Sequence, residues 1–396
     1  MPMSTSKRAA LTVLLVGVFG GALYFALRGQ QQARVEQAET AAVAGAVELR
    51  GVISLDVETY FKDPRVIKIL AAKRLPVNVV RVGSREMAAR VVPPNSEGGP
   101  DFMFPSGVVA ANQVVDAARK LNIAATQVSP FFTPMVIASW EPIARILVAN
   151  GMAKPMVDSG SSGGSGSGAG GNPSKVYGVD MALLTQAMLA RKKWKELKDA
   201  GGYDVGRSVL VSTTDLRRSN SGALYLALTS YALEGDVVSS LATARQSSLK
   251  LAELFKRQGY QENYVNGNFD DYVAIGIGKT PMAFIYENQL VAYALAKKGV
   301  GADMVLMYPL PTIVNKVVFV ALNPRAKALG DLLASDADLQ GIAVEYGFRI
   351  ADTERFVAAV KGTGLVVEPR VTQVVDPPSS EIMAEMIDTV AKEMAQ

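Results

Sequence analysis

From Val47 to about Ile350, short apolar runs alternate with amphipathic stretches, and small polar residues stand where many of the runs end. This alternation constrains the fold more than any other feature, because strands and helices that follow one another along a chain build α/β architecture. Val47–Val57 reads as a first strand. Asp63-Pro64 then opens a helix, with Asp63 as N-cap and Pro64 at the first helical position, where a missing N–H costs nothing. Val66, Ile67, Leu70 and Ala71 are its expected buried stripe. Val77–Val82 reads as a second strand, ending in Gly83-Ser84 ahead of a helix over Arg85–Val91. Asp101–Phe104 reads as a third, ending in Pro105-Ser106-Gly107 ahead of a helix over Val108–Leu121.

The pattern resumes with an apolar strand at Thr133–Trp140 and another at Val209–Ser212. A polar loop, Thr213–Gly222, leads into a strongly apolar helix at Ala223–Leu233. A helix is expected over Leu251–Tyr260. Tyr272–Ile277 and Met282–Ile285 flank a turn, and Tyr286-Glu287 leads into a helix at Asn288–Lys297. Strands at Met304–Tyr308 and Val317–Leu322 flank Pro309-Leu310-Pro311-Thr312, and helices at Ala326–Leu333 and Asp336–Tyr346 follow. Ser159–Gly171 is Gly or Ser throughout except for Ala169. Such a run cannot bury apolar surface and is expected to be a flexible loop. It reads as an insertion rather than a linker between independent domains, since the α/β pattern continues on both sides.

Ahead of the body, Ala9–Leu27 carries no charge and is bounded by Lys7 and Arg8 on one side and Arg28 on the other. As a helix it is long enough for the roughly 30 Å hydrocarbon layer of a bilayer. It exceeds the usual apolar core of a cleaved signal and lacks a good cleavage site after it, so an uncleaved transmembrane helix is expected. Residues 1–8 are then cytoplasmic and the body lies on the outer, periplasmic side of a bacterial cytoplasmic membrane. Residues 28–46 are polar and read as a stalk.

The chain of 396 residues has 49% apolar and 20% charged residues, enough apolar content for a large core. Its net charge of +4 is small, and no basic block with interleaved aromatics points to nucleic acid. Cysteine and histidine are both missing, which removes disulfides, thiolate nucleophiles, histidine triads and imidazole metal sites. Gly278-Lys279-Thr280 matches the end of a phosphate-binding loop, but the required upstream glycine falls at Val273. Asp270-Asp271 reads as a solvated turn. No metal site, cofactor or catalytic residue is expected, and the chain is not read as an enzyme.

Several phrases, taken in order, resemble a known family. They are Gly83-Ser84, Ser219-Asn220-Ser221-Gly222 before an apolar helix, Ala283–Gln289, Tyr308–Thr312, and Leu339-Gln340 with Tyr346–Arg349. Their order resembles the type II periplasmic-binding-protein fold of molybdate-, sulfate- and phosphate-binding proteins. The resemblance implies two α/β lobes joined by two crossing strands, with a ligand clamped between them. Lobe one would be 47–130 with 315–371, lobe two 131–314 including the Gly/Ser loop 159–171, and a C-terminal helix would lie in 372–396. The crossings would fall near Ser129–Met135 and Tyr308–Val314.

In open α/β sheets, ligands collect beyond the carboxyl ends of strands, where helix starts offer free N–H groups and partial positive charge. The expected ligand-binding residues are therefore Ser54, Ser84, Arg85, Ser106, Gly107, Thr133, Ser219, Asn220, Ser221 and Tyr286. Arg217 or Arg218 is a further candidate for an oxyanion clamp, and Glu287 either meets a polar ligand or caps the helix after it. Each serine could equally be a plain N-cap. Leu55-Asp56-Val57-Glu58, after the first strand, is acidic and apolar where the family often has a lysine or small polar residues, which disfavours a simple oxyanion. The expected function is a membrane-anchored extracytoplasmic solute-binding protein, holding a small molecule or oxyanion for a membrane transporter or sensor. The alternative is a cell-envelope assembly protein that keeps the fold as a scaffold without a solute.

Overall fold

The structure is a computed structural model that describes residues 47–93, 96–156, 176–203, 205–259, 261, 265–297 and 300–396. The apolar run 9–27 and the Gly/Ser run 159–171 lie outside these residues. Among the described residues no helix is long and apolar enough to cross a membrane.

The described residues divide into two compact units, 47–49 with 62–78, and 50–61 with those from 79 to 396. In the described part of the first, the backbone N–H of Leu49 donates to the carbonyl of Pro76 (2.8 Å). Its helix, Pro64–Ala72, starts as the sequence dictates: the Arg65 N–H donates to the Asp63 carboxylate (2.8 Å) and Pro64 fills the first turn. Val66 and Leu70 are buried, whereas Ile67 is 51% exposed, so the buried stripe is narrower than expected.

The second unit is a mixed α/β sheet with helices. Its strands include β1 (Leu49–Ile53, shared with the first unit), β3 (Phe102–Phe104), β4 (Thr126–Trp140), β5 (Ala153–Pro155), β6 (Val176–Asp180), β7 (Met282–Tyr286), β8 (Met304–Leu310) and β9 (Val314–Ala321); β2 (Val77–Arg81) straddles the two units. β1 pairs parallel with β3, β3 antiparallel with β9, and β9 antiparallel with the first half of β4. Past Pro134 the same strand changes partners. Met135–Ser139 pairs with β7 and Ile137–Trp140 with β8, which continues through β6 to β5.

Both faces of the first half are covered. β3 reads Phe-Met-Phe and is buried throughout. Met103 points into an aliphatic cluster with Met87, Ala111, Val114 and Val320. Its two neighbours point the other way, where Phe102 stacks on Phe319 (centroids 4.8 Å apart) and Phe104 meets Phe61, Phe131 and Phe319. A strand buried on both sides reads as an uninterrupted apolar run, which is why three residues suffice to mark it.

Four helices matter below: α1 (Val108–Lys120), α2 (Asn220–Glu234), α3 (Leu241–Lys256) and α4 (Glu287–Leu295). α2 is buried from Ser221 to Ser230 on all sides, as its unbroken apolar sequence requires. Its first turn presses against the preceding loop so closely that a Cβ on Gly222 would lie 2.4 Å from the Thr214 carbonyl oxygen. The C-terminal helix α5 (Ser380–Met394) buries Ile382, Met383, Met386 and Val390 and makes ion pairs to α3 through Arg245–Glu385 and Lys256–Glu393. These surface pairs are worth little individually.

The buried pair Glu287–Arg349 is different. Arg349 donates from Nε to Glu287 Oε2 (2.6 Å) and from Nη2 to Oε1 (2.8 Å), with the two side chains 0% and 3% exposed. Tyr308 donates to the same carboxylate, and the Glu368 and Pro369 carbonyls accept from the guanidinium. Burial lowers the Arg349 proton affinity, and the charge and hydrogen bonds of Glu287 more than reverse that. Removing one partner strands a buried charge, at a typical cost of about 3–5 kcal/mol. Arg349→Met should lose about that much in urea unfolding. The double variant with Glu287→Gln should recover a large part of it, because no buried charge is then left unpaired.

Candidate functional site

The carboxyl ends of β1 and β3 open beside one another because the two strands are parallel. Past β1, the Ser54 N–H donates to the Phe104 carbonyl (3.0 Å), which fixes the turn that leads to Asp56. Past β3, the Ser106 N–H donates to Ser84 Oγ (3.0 Å), and Ser106 Oγ donates to Asp56 Oδ2. Asn315, at the start of β9, also reaches Asp56 Oδ2 through Nδ2 (3.5 Å).

Gly107 is the N-cap of α1, with φ +87° and ψ 150°. That backbone region is essentially restricted to glycine. A Cβ there would lie 3.5 Å from Asn315 Oδ1 and 3.7 Å from Asn220 Nδ2. Asn220, the first residue of α2, in turn donates to Tyr286 Oη (3.2 Å), and Tyr286 is the N-cap of α4. The starts of α1, α2 and α4 thus converge, with Asp56 and Asn315 beside the start of α1.

Electrostatics mark this cluster. Burial pushes the Asp56 carboxyl above its usual range, and the hydrogen bonds from Ser106 and Asn315 offset only part of that. Its Oδ1 accepts no hydrogen bond from a described residue, and the side chain keeps some accessible surface. It is enclosed by protein yet not sealed. The Tyr286 phenol is raised well above its usual value by burial and by the Asp56 charge, with the Asn220 hydrogen bond acting in the opposite direction. Two further oxygens, Ser54 Oγ and Asn315 Oδ1, are buried and have no hydrogen-bond partner among the described residues. They are two of ten buried side-chain atoms without a partner among the described residues, atoms of a kind that ordered water or a ligand normally satisfies.

The ten residues expected from the sequence separate into three kinds. Ser54, Ser106, Gly107, Asn220 and Tyr286 are brought together around Asp56. Ser84, Thr133, Ser219 and Ser221 are occupied by the fold: Ser84 holds Ser106, Thr133 Oγ1 accepts from the Asn288 N–H (3.0 Å), and Ser219 and Ser221 share a hydroxyl chain with Thr214 (2.8 Å each). Arg85 lies in the 3-10 helix Ser84–Arg90, and its side chain is outside the described residues. Arg217 is bound to Asp215 through Nε and Nη2, and Glu287 is taken by Arg349. Asp56 and Asn315 are missing from the sequence-based set. The acidic break after the first strand was the available signal for Asp56; Asn315 carried none beyond a polar residue opening an apolar strand. Among the described residues no cluster of acidic side chains could hold a metal ion.

Chemically the cluster offers an unpaired carboxylate oxygen, a free amide oxygen, a free serine hydroxyl and a phenol. This suits recognition of a small polar molecule. Solved structures share the fold. A protein from Clostridium perfringens described as an ABC transporter is 12% identical, covers 87% of this chain and 99% of its own, and superposes with a TM-score of 0.51. An extracellular solute-binding protein from Bordetella parapertussis is 10% identical, with 88% and 99% coverage and a TM-score of 0.51. At these identities the likeness establishes the fold, that of the type II solute-binding proteins the sequence resembles. No family model matches the chain, and no curated protein matches it in sequence.

The raised Asp56 makes a signed statement about stability. Below the ordinary aspartate range the group is protonated in both states. As pH rises, the unfolded chain loses its proton first, so stability falls until pH has passed the folded value. Asp56→Asn should therefore melt higher than wild type at neutral pH, with the gap closing on acidification, as followed by differential scanning calorimetry.

Proposed function

We propose that the chain is an extracytoplasmic solute-binding protein that clamps a small ligand between two lobes, 47–130 with 315–371 and 131–314, for a membrane transporter or sensor. It is held at the outer face of the cytoplasmic membrane by residues 9–27 and a stalk, 28–46. The observation that carries this reading is the meeting of Gly107 and Asn315, from the first lobe, with Asn220 and Tyr286, from the second, around polar atoms that lack partners. The change of partners along β4 supports it as well, since one strand then serves as a crossing between the lobes. A hinge of this kind lets each lobe supply part of the contacts and lets closure exclude water. The cluster is read as a binding site rather than an active site.

A broad thermal-shift screen of oxyanions, amino acids, amines, sugars and metal ions tests the proposal. A solute at 100 times its dissociation constant should stabilise the protein by about 2.7 kcal/mol, an easily resolved rise in melting temperature. If no class of solute moves the transition, the protein is a scaffold of the cell envelope that keeps the fold without the solute.

A further inference from the structure

We infer that the solute carries a primary ammonium group that pairs with the Asp56 carboxylate, beside Asn315, which touches that carboxylate, and two residues along the chain from Ser54. The inference rests on the solute-binding reading and names the chemical class that the same site selects.

Charge is the first consideration. Asp56 is held by neutral groups only, Ser106 Oγ and Asn315 Nδ2, and both act on Oδ2. Glu287, next to Tyr286 in the chain, belongs to Arg349, and Arg217, the other candidate from the sequence, is bound to Asp215. One unpaired negative charge in an enclosed site calls for one positive charge. An oxyanion would place a second negative charge against a carboxylate that burial already disfavours. Asp56 itself supplies the anion that the start of α1, at Gly107, favours.

Hydrogen-bond inventory is the second. Ser54 and Asn315 are 3% and 1% exposed, and their Oγ and Oδ1 atoms have no partner among the described residues. The amide of Asn315 is oriented by its Nδ2 contact with Asp56, so Oδ1 is the atom left over. An ammonium has three donors and no acceptor, matching the carboxylate oxygen, the amide oxygen and the hydroxyl. A hard divalent metal matches poorly, since calcium takes six to eight oxygens, commonly with several carboxylates among them. The Tyr286 phenol, which accepts from Asn220, keeps its own proton to donate to a second polar group on the same ligand.

The test uses the full-length chain and isothermal titration calorimetry with methylammonium, ethanolammonium and putrescine. Sulfate, phosphate, glucose, sodium and calcium serve as comparison probes. At least one amine should bind wild type best, and Asp56→Asn should weaken it tenfold or more, or about 1.4 kcal/mol. Ser54→Ala breaks no hydrogen bond within the protein, so it should fold as wild type does and still weaken the amine several-fold. Equal amine affinity in wild type and Asp56→Asn would overturn the inference. So would tighter binding of an oxyanion, sugar or metal ion than of any amine, although the solute-binding reading would survive that result. Failure of every probe, together with a silent thermal-shift screen, would overturn both.

Discussion

A single strand has to serve two halves of the sheet. β4 runs for 15 residues, lies against β9 up to Pro134, and then takes β7 on one side and β8 on the other. The placement of Asn315, Tyr286 and the start of α4 follows from that exchange. Thr133, just before the switch, caps the first turn of α4, and Asn315 sits opposite it on β9. Tyr286, at the end of β7, is paired with Met135 just after the switch. The same few residues of backbone therefore set the relative placement of Asn315, Tyr286 and the helix start beside them.

Around this crossing the molecule treats its buried charges in two ways. Glu287 and Arg349 are matched in both charge and hydrogen bonds, with Tyr308 and backbone carbonyls completing the set. A network satisfied in this manner is structural, because nothing in it remains to be offered to a ligand. Among the described residues Asp56 has neutral partners on one oxygen and none on the other, and Asn315, which touches it, keeps an unmatched amide oxygen. The open one is where the proposed solute would sit. The difference between the two sites is visible in their partners rather than in their burial.

Much of the fold was legible in the sequence because local chemistry and tertiary role coincide. Asp63-Pro64 opens its helix, and β3 is marked by three apolar residues with a glycine-capped helix after them. β4 begins seven residues before the apolar strand expected at Thr133–Trp140, in the stretch that holds Pro130. Pro130 falls where the register shifts between Val128 and Phe131, one of the places where a strand tolerates proline. Tyr272–Ile277 reads as an apolar segment before a turn, yet most of it is the end of a helix over Val265–Ile275, an ambiguity that short apolar runs carry. Val209–Ser212 contributes only an isolated bridge, Ser212 to Ala283. For the site, strand-end serines and helix-start residues could be named from position alone. Which of them are consumed as caps depends on partners far away in sequence, as with Thr133 and Asn288. Asp56 stood out in the sequence only as part of an acidic break that disfavours a simple oxyanion, and it is the packing of Ser106 and Asn315 against it that places it in the cluster.

The claim that the two halves close on a solute is open to direct distance measurement, because the chain has no cysteine to interfere with labelling. Spin labels at Arg119→Cys on α1 and Leu249→Cys on α3, both exposed positions, would report the separation of the halves by double electron–electron resonance. Without solute the distribution should include separations longer than those found with it, and a bound solute should collapse it to one short distance. A distribution that stays the same with every solute tried would contradict closure, and with it the reading of this fold as a clamp.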